Sequence, residues 1–252
     1  MLKTRIIPCL LLKDSGLVKT VNFNKYNYIG DPINTCRIFN ELEVDELTFL
    51  DISATVENKE PNYKVLQEIS AECFMPVSYG GGIKSLKQVE KILSIGFEKV
   101  ILNTLAFENR DIITEIANNF GSQSLIISID YRKNLFGKYQ VYGKSGNTNY
   151  KMHPAEWAGV VADSGAGEIL LTSIDREGTW KGYDVDLTKQ VTQKVKIPVI
   201  ANGGAGCIDD IADVVNSGGA SAVALGSMVV YQAKDMGVLI NFPDRESLSE
   251  KL

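Results

Sequence analysis

Eight short and nearly continuous apolar runs are spaced along the chain, at residues 5–12, 46–52, 75–79, 99–103, 125–131, 168–174, 199–202 and 222–226. Strict alternation of apolar and polar residues would mark strands wetted on one face, whereas unbroken runs mark parallel strands covered on both. The stretches between them are long enough for crossover helices, and residues 87–95 place Val89, Ile92 and Leu93 on one helical face. The pattern therefore predicts alternating strands and helices around a parallel sheet.

An internal repeat turns that pattern into an architecture. Residues 76–104 (PVSYGGGIKSLKQVEKILSIGFEKVILNT) match residues 198–226 (PVIANGGAGCIDDIADVVNSGGASAVALG) without a gap, 122 positions apart. The same spacing relates Glu46 to Glu168, Gly82 to Gly204 and Gly96 to Gly218. Two copies of a four-strand unit predict an α/β fold, a (β/α)8 TIM barrel built from two duplicated half-barrels, with its chemistry at the C-terminal ends of the strands. An open doubly wound sheet is the alternative. No flexible linker or block of like charge divides residues 1–252, so one domain is expected.

Composition narrows the function classes. Lys plus Arg number 26 against 31 Asp plus Glu, a net charge of −5, which argues against nonspecific binding to nucleic acid or an anionic membrane. The apolar runs fall far short of the roughly 20 residues of a membrane-spanning helix. The start of the chain lacks a small-residue cleavage site, so a cytoplasmic protein is expected. Cys9, Cys36, Cys73 and Cys207 form no C-x-x-C pair and read as buried small hydrophobes, and the single His153 precedes a proline in a loop. No metal site is expected.

Candidate chemistry sits at both ends of the strands. Gly80, Gly81 and Gly82 follow the third strand, and Gly203 and Gly204 follow the seventh, each group preceding a helix. Such turns let a phosphate approach backbone N–H groups, and two of them at equivalent points suit a doubly phosphorylated ligand. Asn103 with Thr104, and Gly226 with Ser227, stand at the fourth and eighth strand ends. Asp130 closes the fifth run as a candidate acid/base, and Asp51 and Asp175 hold comparable positions. Aligning the first run with the fifth pairs Leu11 with Asp130, so one half carries an alkyl group where the other carries an acid. At the opposite ends, Arg5, Glu46, Lys99 and Glu168 stand where apolar runs begin, and four alternating charges are able to close a ring.

The segments RIIPCLLLKD, FLDIS, GGGI, NT, GSQSLIISID, GAGEILLTSIDREGT and ANGGAG, in that order along nearly the whole chain, resemble the cyclase subunit of imidazole glycerol phosphate synthase. The resemblance implies a glutaminase partner, ammonia entering at the bottom of the barrel, and attack on a bisphosphorylated substrate at the top. It implies no cofactor. It makes Arg5, Glu46, Lys99 and Glu168 the ammonia gate, Asp130 one of two catalytic aspartates, and Lys19 the flexible-loop lysine. Phosphate binding falls to Gly82, Asn103 and Thr104 on one side and to Gly178, Gly204, Gly226 and Ser227 on the other. The second catalytic aspartate falls on Leu11, because CLLLKD stands where the family pattern is CLDVKD, while Glu177 and Asn202 replace an Asp and a Ser. Two readings follow. One is a barrel that docks a glutaminase and conducts ammonia to a separate sugar amidotransferase, as the resemblance to paralogues of bacterial surface-sugar clusters implies. The other is an active cyclase of histidine biosynthesis.

Overall fold

The computed structural model describes residues 4–252 and closes all eight runs into one barrel. Its strands are β1 (Arg5–Lys13), β2 (Leu47–Asp51), β3 (Val77–Gly80), β4 (Lys99–Leu102), β5 (Leu125–Lys133), β6 (Glu168–Ser173), β7 (Val199–Asn202) and β8 (Ala222–Leu225). Every neighbouring pair is parallel, and β8 returns to β1 with Ala222 opposite Arg5, so the barrel has no free edge. The intervening helices are α1 (Pro32–Glu41), α2 (Tyr63–Glu72), α3 (Leu86–Ile95), α4 (Asp111–Phe120), α5 (Pro154–Asp163), α6 (Val185–Lys194), α7 (Ile208–Asn216) and α8 (Arg245–Lys251).

Side-chain alternation along each strand builds two cores. Ile7, Cys9, Ile101, Ile126, Leu170, Ile200, Ala222 and Ala224 pack together inside the barrel. Ile6, Leu10 and their counterparts point outward into the larger core under the helices, with Phe39, Leu66, Ile92 and Val161. Burying each large side chain contributes about 1.5–3 kcal/mol, so this outer layer supplies most of the favourable term. Helix ends follow their sequence signals: the Ser85 hydroxyl accepts from Gln88 N–H at the start of α3, and Gly96 ends it in the left-handed region at φ +116°. The second half departs from the repeat here, because the left-handed residue after α7 is Gly219 and not Gly218.

Two excursions beyond the barrel rim were not legible in the apolar pattern. Gly16–Thr20 pairs antiparallel with the end of β1 and carries Tyr26–Gly30 at its outer side. Tyr139–Gly143 does the same for β5, followed by Thr148–Asn149. These hairpins occupy equivalent places in the two halves, and polar residues interrupt their apolar signal, among them the buried Lys19 and Thr20 and the exposed start of Tyr26–Gly30. The cysteines also differ from expectation. Cys36 and Cys73 meet with their sulfurs 3.5 Å apart, and Cys207 is exposed. His153 caps α5 by accepting from Ala155 N–H at 3.2 Å, a structural role. No helix of the described residues is long and apolar enough to cross a membrane.

Candidate functional sites at the two ends of the barrel

At the C-terminal ends of the strands lies a cavity of about 540 Å³. Asp130 stands on its β5 wall, where Ser128 donates a hydrogen bond to it at 2.9 Å. Burial pushes the Asp130 carboxyl up to about 6, against the opposing hydrogen bonds from Ser128 and Thr172. Asn202 donates to the Thr172 hydroxyl at 3.2 Å and extends this polar wall. Leu11 lies on the strand four places round the barrel and lines the same cavity, paired in register with Leu50 and Val18. The cavity therefore has a proton-carrying side and an alkyl side. Cys9 also lines it, and burial pushes that thiol up to about 12, which leaves it protonated and unreactive near neutrality.

The first set of glycine-rich residues lines this cavity and the second lines a small recess beside it, with Lys19, Glu177, Asn202 and Gly226 common to both. Gly82, Asn103 and Thr104 line one flank. At φ +68° a Cβ on Gly82 would stand 2.8 Å from the Ala54 Cβ, so only glycine lets the turn pack this closely. The Gly82 N–H donates to the Thr55 hydroxyl at 3.1 Å, and the Asn103 amide donates to the carbonyls of Ser128 and Tyr142 at 3.1 and 3.2 Å. On the other flank Gly178, Gly204, Gly226 and Ser227 form a small recess with Lys19 and Glu177. Lys19 is buried, which draws its ammonium down to about 8, and it forms an ion pair with Glu177. The Thr20 hydroxyl donates to the same carboxylate at 2.9 Å, so Glu177 clasps the first hairpin onto the β6 loop.

Glu177 is the residue whose importance sequence reasoning understated, since its partners lie more than 150 positions away in the chain. Asp51 and Asp175 go the other way. Asp51 accepts from the N–H groups of Ser53 and Ala54, both at 2.9 Å, and Asp175 accepts from Lys133 N–H at 2.9 Å. Both carboxylates shape loops through these bonds, and Asp51 also lines the cavity with Asp130.

At the N-terminal ends Arg5, Glu46, Lys99 and Glu168 close a ring. Arg5 donates to Glu46 at 2.6 Å and to Glu168 at 2.8 Å, and Lys99 donates to Glu46 at 2.8 Å and to Glu168 at 2.9 Å. Each acid therefore bridges both bases. Burial alone would raise the Glu168 carboxyl, but hydrogen bonds from Arg5 and Lys99 outweigh it and hold the group below its ordinary range. Between this ring and the cavity the barrel interior is mostly aliphatic, broken by the Thr48 and Ser78 hydroxyls, which hydrogen-bond each other at 2.8 Å.

A family model described as histidine biosynthesis protein matches residues 5–235. The chain is 51% identical over 248 residues to a Pseudomonas aeruginosa protein named "Putative imidazole glycerol phosphate synthase subunit hisF2", covering 98% of this chain and 99% of that one. It is 45% identical to the Vibrio vulnificus protein named "Putative imidazole glycerol phosphate synthase subunit hisF3", covering 100% and 96% of the two chains. Against the imidazole glycerol phosphate synthase subunit HisF of Alkaliphilus metalliredigens the identity is 42%, over 92% of each chain. With a closed eightfold barrel, a match over nearly its whole length and relatives that align end to end, this chain belongs to the histidine biosynthesis protein family, among the homologues of the HisF subunit of imidazole glycerol phosphate synthase.

Proposed function

We propose that this chain is the ammonia-conducting barrel of a glutamine amidotransferase complex, feeding a separate acceptor enzyme that aminates a surface sugar. A glutaminase subunit docks at the N-terminal face. Ammonia passes the ring of Arg5, Glu46, Lys99 and Glu168, crosses the aliphatic interior and leaves beside Asp130. In the ring as it stands each Lys99 bond to a glutamate closes one side of the passage, so admitting ammonia means swinging that flexible side chain aside. The aliphatic interior favours the neutral molecule, because an ammonium ion entering it would lose its hydration without a counter-charge.

The observation that carries this reading is Leu11 facing the cavity opposite Asp130. A cyclase needs one group to remove a proton and another to supply one, and a leucine does neither. A conduit needs only a sealed path and an exit. The second reading, a working cyclase, draws support from the two glycine-rich flanks with Lys19 and from the retained Asp130, all of which would suit a bisphosphorylated ligand. Growth rescue separates the two. Expressed at normal level in a strain lacking its cyclase subunit, the chain is expected not to restore growth without histidine, and full rescue would overturn the proposal in favour of the cyclase.

A further inference from the structure

Among the described residues twelve large hydrophobic side chains are exposed, and nine of them sit on loops that follow barrel strands. The nine come from four separate segments: Val21, Tyr26 and Tyr28 after β1, Val56 after β2, Leu135 and Phe136 after β5, and Met236, Val238 and Leu239 after β8. The opposite face contributes Phe74 from the turn before β3. A cavity serving only a small phosphorylated molecule has no use for such a rim, and large apolar side chains exposed on a loop face suit a protein contact.

The β5 excursion is the most telling part. Leu135 is fully exposed and Phe136 is 87% exposed. Their turn is not loose: the Asn134 side chain accepts from the N–H groups of Phe136 and Lys138 at 2.9 and 3.0 Å, and main-chain bonds join Asn134 to Gly137 and Lys138 at 2.9 Å. Rigid presentation of apolar side chains is how an interface anchor is prepared, since little freedom is left to lose on binding. From residue 131 to residue 153 the chain carries Arg132, Lys133, Lys138, Lys144 and Lys151 and no acidic residue, although the molecule as a whole is net negative.

We propose that the mouth is the docking face for the ammonia acceptor, a protein presenting an apolar pocket edged with carboxylates to the Leu135–Phe136 turn. This rests on the conduit reading above and says where delivery happens: the partner seals the cavity so that ammonia passes into it without meeting water. The charge of the β5 arm selects an acidic partner face. Asp14 and Glu108 at the same rim are paired with Lys59 and Lys144, and an anionic membrane is an outcome that the test below separates. Two copies of this chain meeting mouth to mouth would oppose like-charged arms and close the cavity on itself.

The test places a photo-crosslinking amino acid at position 136 in the cell that makes this chain, and identifies the captured species by mass spectrometry. The expected species is one enzyme that, once purified, aminates its sugar substrate with ammonium salt. Reconstituted with that enzyme and the glutaminase, Leu135→Ser combined with Phe136→Ser is expected to cut aminated product per glutamate released about tenfold. Glutamine hydrolysis should stay unchanged, and ammonium salt should restore the product. Capture of a second copy, of lipid, of the glutaminase alone or of nothing overturns the proposal, as does binding of the chain to phosphatidylglycerol vesicles that the double variant abolishes. If Lys99→Ala uncouples the assembly and the double variant does not, the docking face is wrong and the conduit stands. If the enzyme is captured while Lys99→Ala leaves coupling intact, the conduit is wrong and the docking face stands.

Discussion

Asp130 is a half-buried carboxylate on the cavity wall, and that has a consequence for stability as well as for chemistry. Its folded value of about 6 lies above the ordinary 3.8, so burial penalises the charged form. The penalty is absent below about pH 4, grows as pH rises toward 6 and is complete above it; roughly two units correspond to about 3 kcal/mol. Asp130→Asn keeps an acceptor for Ser128 and carries no charge. Thermal unfolding from pH 4 to pH 8 should show this variant gaining on the parent as pH rises, and a constant gap would contradict the assignment. Leu11→Asp addresses the other wall. With the bisphosphorylated ribulosyl substrate and ammonium salt the parent should turn over about 10² to 10⁴-fold below a two-aspartate cyclase, and restoring the acid should raise the rate at least tenfold. A parent rate equal to that of a two-aspartate cyclase would remove the reason for assigning it a conduit role. Leu11 was legible because it breaks a short motif at a known spacing. The Glu177 clasp on Lys19 and Thr20 was not, because nothing local marks a contact between the first hairpin and the β6 loop.

Strands and helices were the most legible level. Parallel strands buried on both faces read as continuous apolar runs, and all eight fall where those runs lie. The hairpins after β1 and β5 escaped because Tyr26–Gly30 has three exposed residues among its five and Tyr139–Gly143 is half wetted. Turn chemistry was readable at the third strand, where Gly82 combines a positive φ with a close approach to Ala54. Gly82→Ala should therefore destabilise the fold by about 1–3 kcal/mol in urea unfolding and weaken binding of inorganic phosphate measured by calorimetry. Unchanged stability would show that the β2 loop yields easily, and unchanged phosphate binding would remove that flank from the anion site.

The molecule as a whole separates two faces. Duplication explains the symmetry of strands, hairpins and glycine turns, and it was visible as a gapless repeat. The charged ring was visible too, because Arg5, Glu46, Lys99 and Glu168 stand at or just before the starts of apolar runs. The structure adds the wiring of that ring, in which each glutamate accepts from both Arg5 and Lys99. Buried ion pairs add little net stability once desolvation is counted, so a ring kept only as a plug would be a poor use of four charges. The most direct measurement is the ratio of glutamate released to aminated product in the reconstituted assembly of glutaminase, barrel and acceptor enzyme. Lys99→Ala and Arg5→Ala should each raise that ratio severalfold while added ammonium salt still supports amination. A ratio that stays at the parent value in both variants, with only the thermal midpoint lowered, would show the ring to be a plug and contradict the conduit.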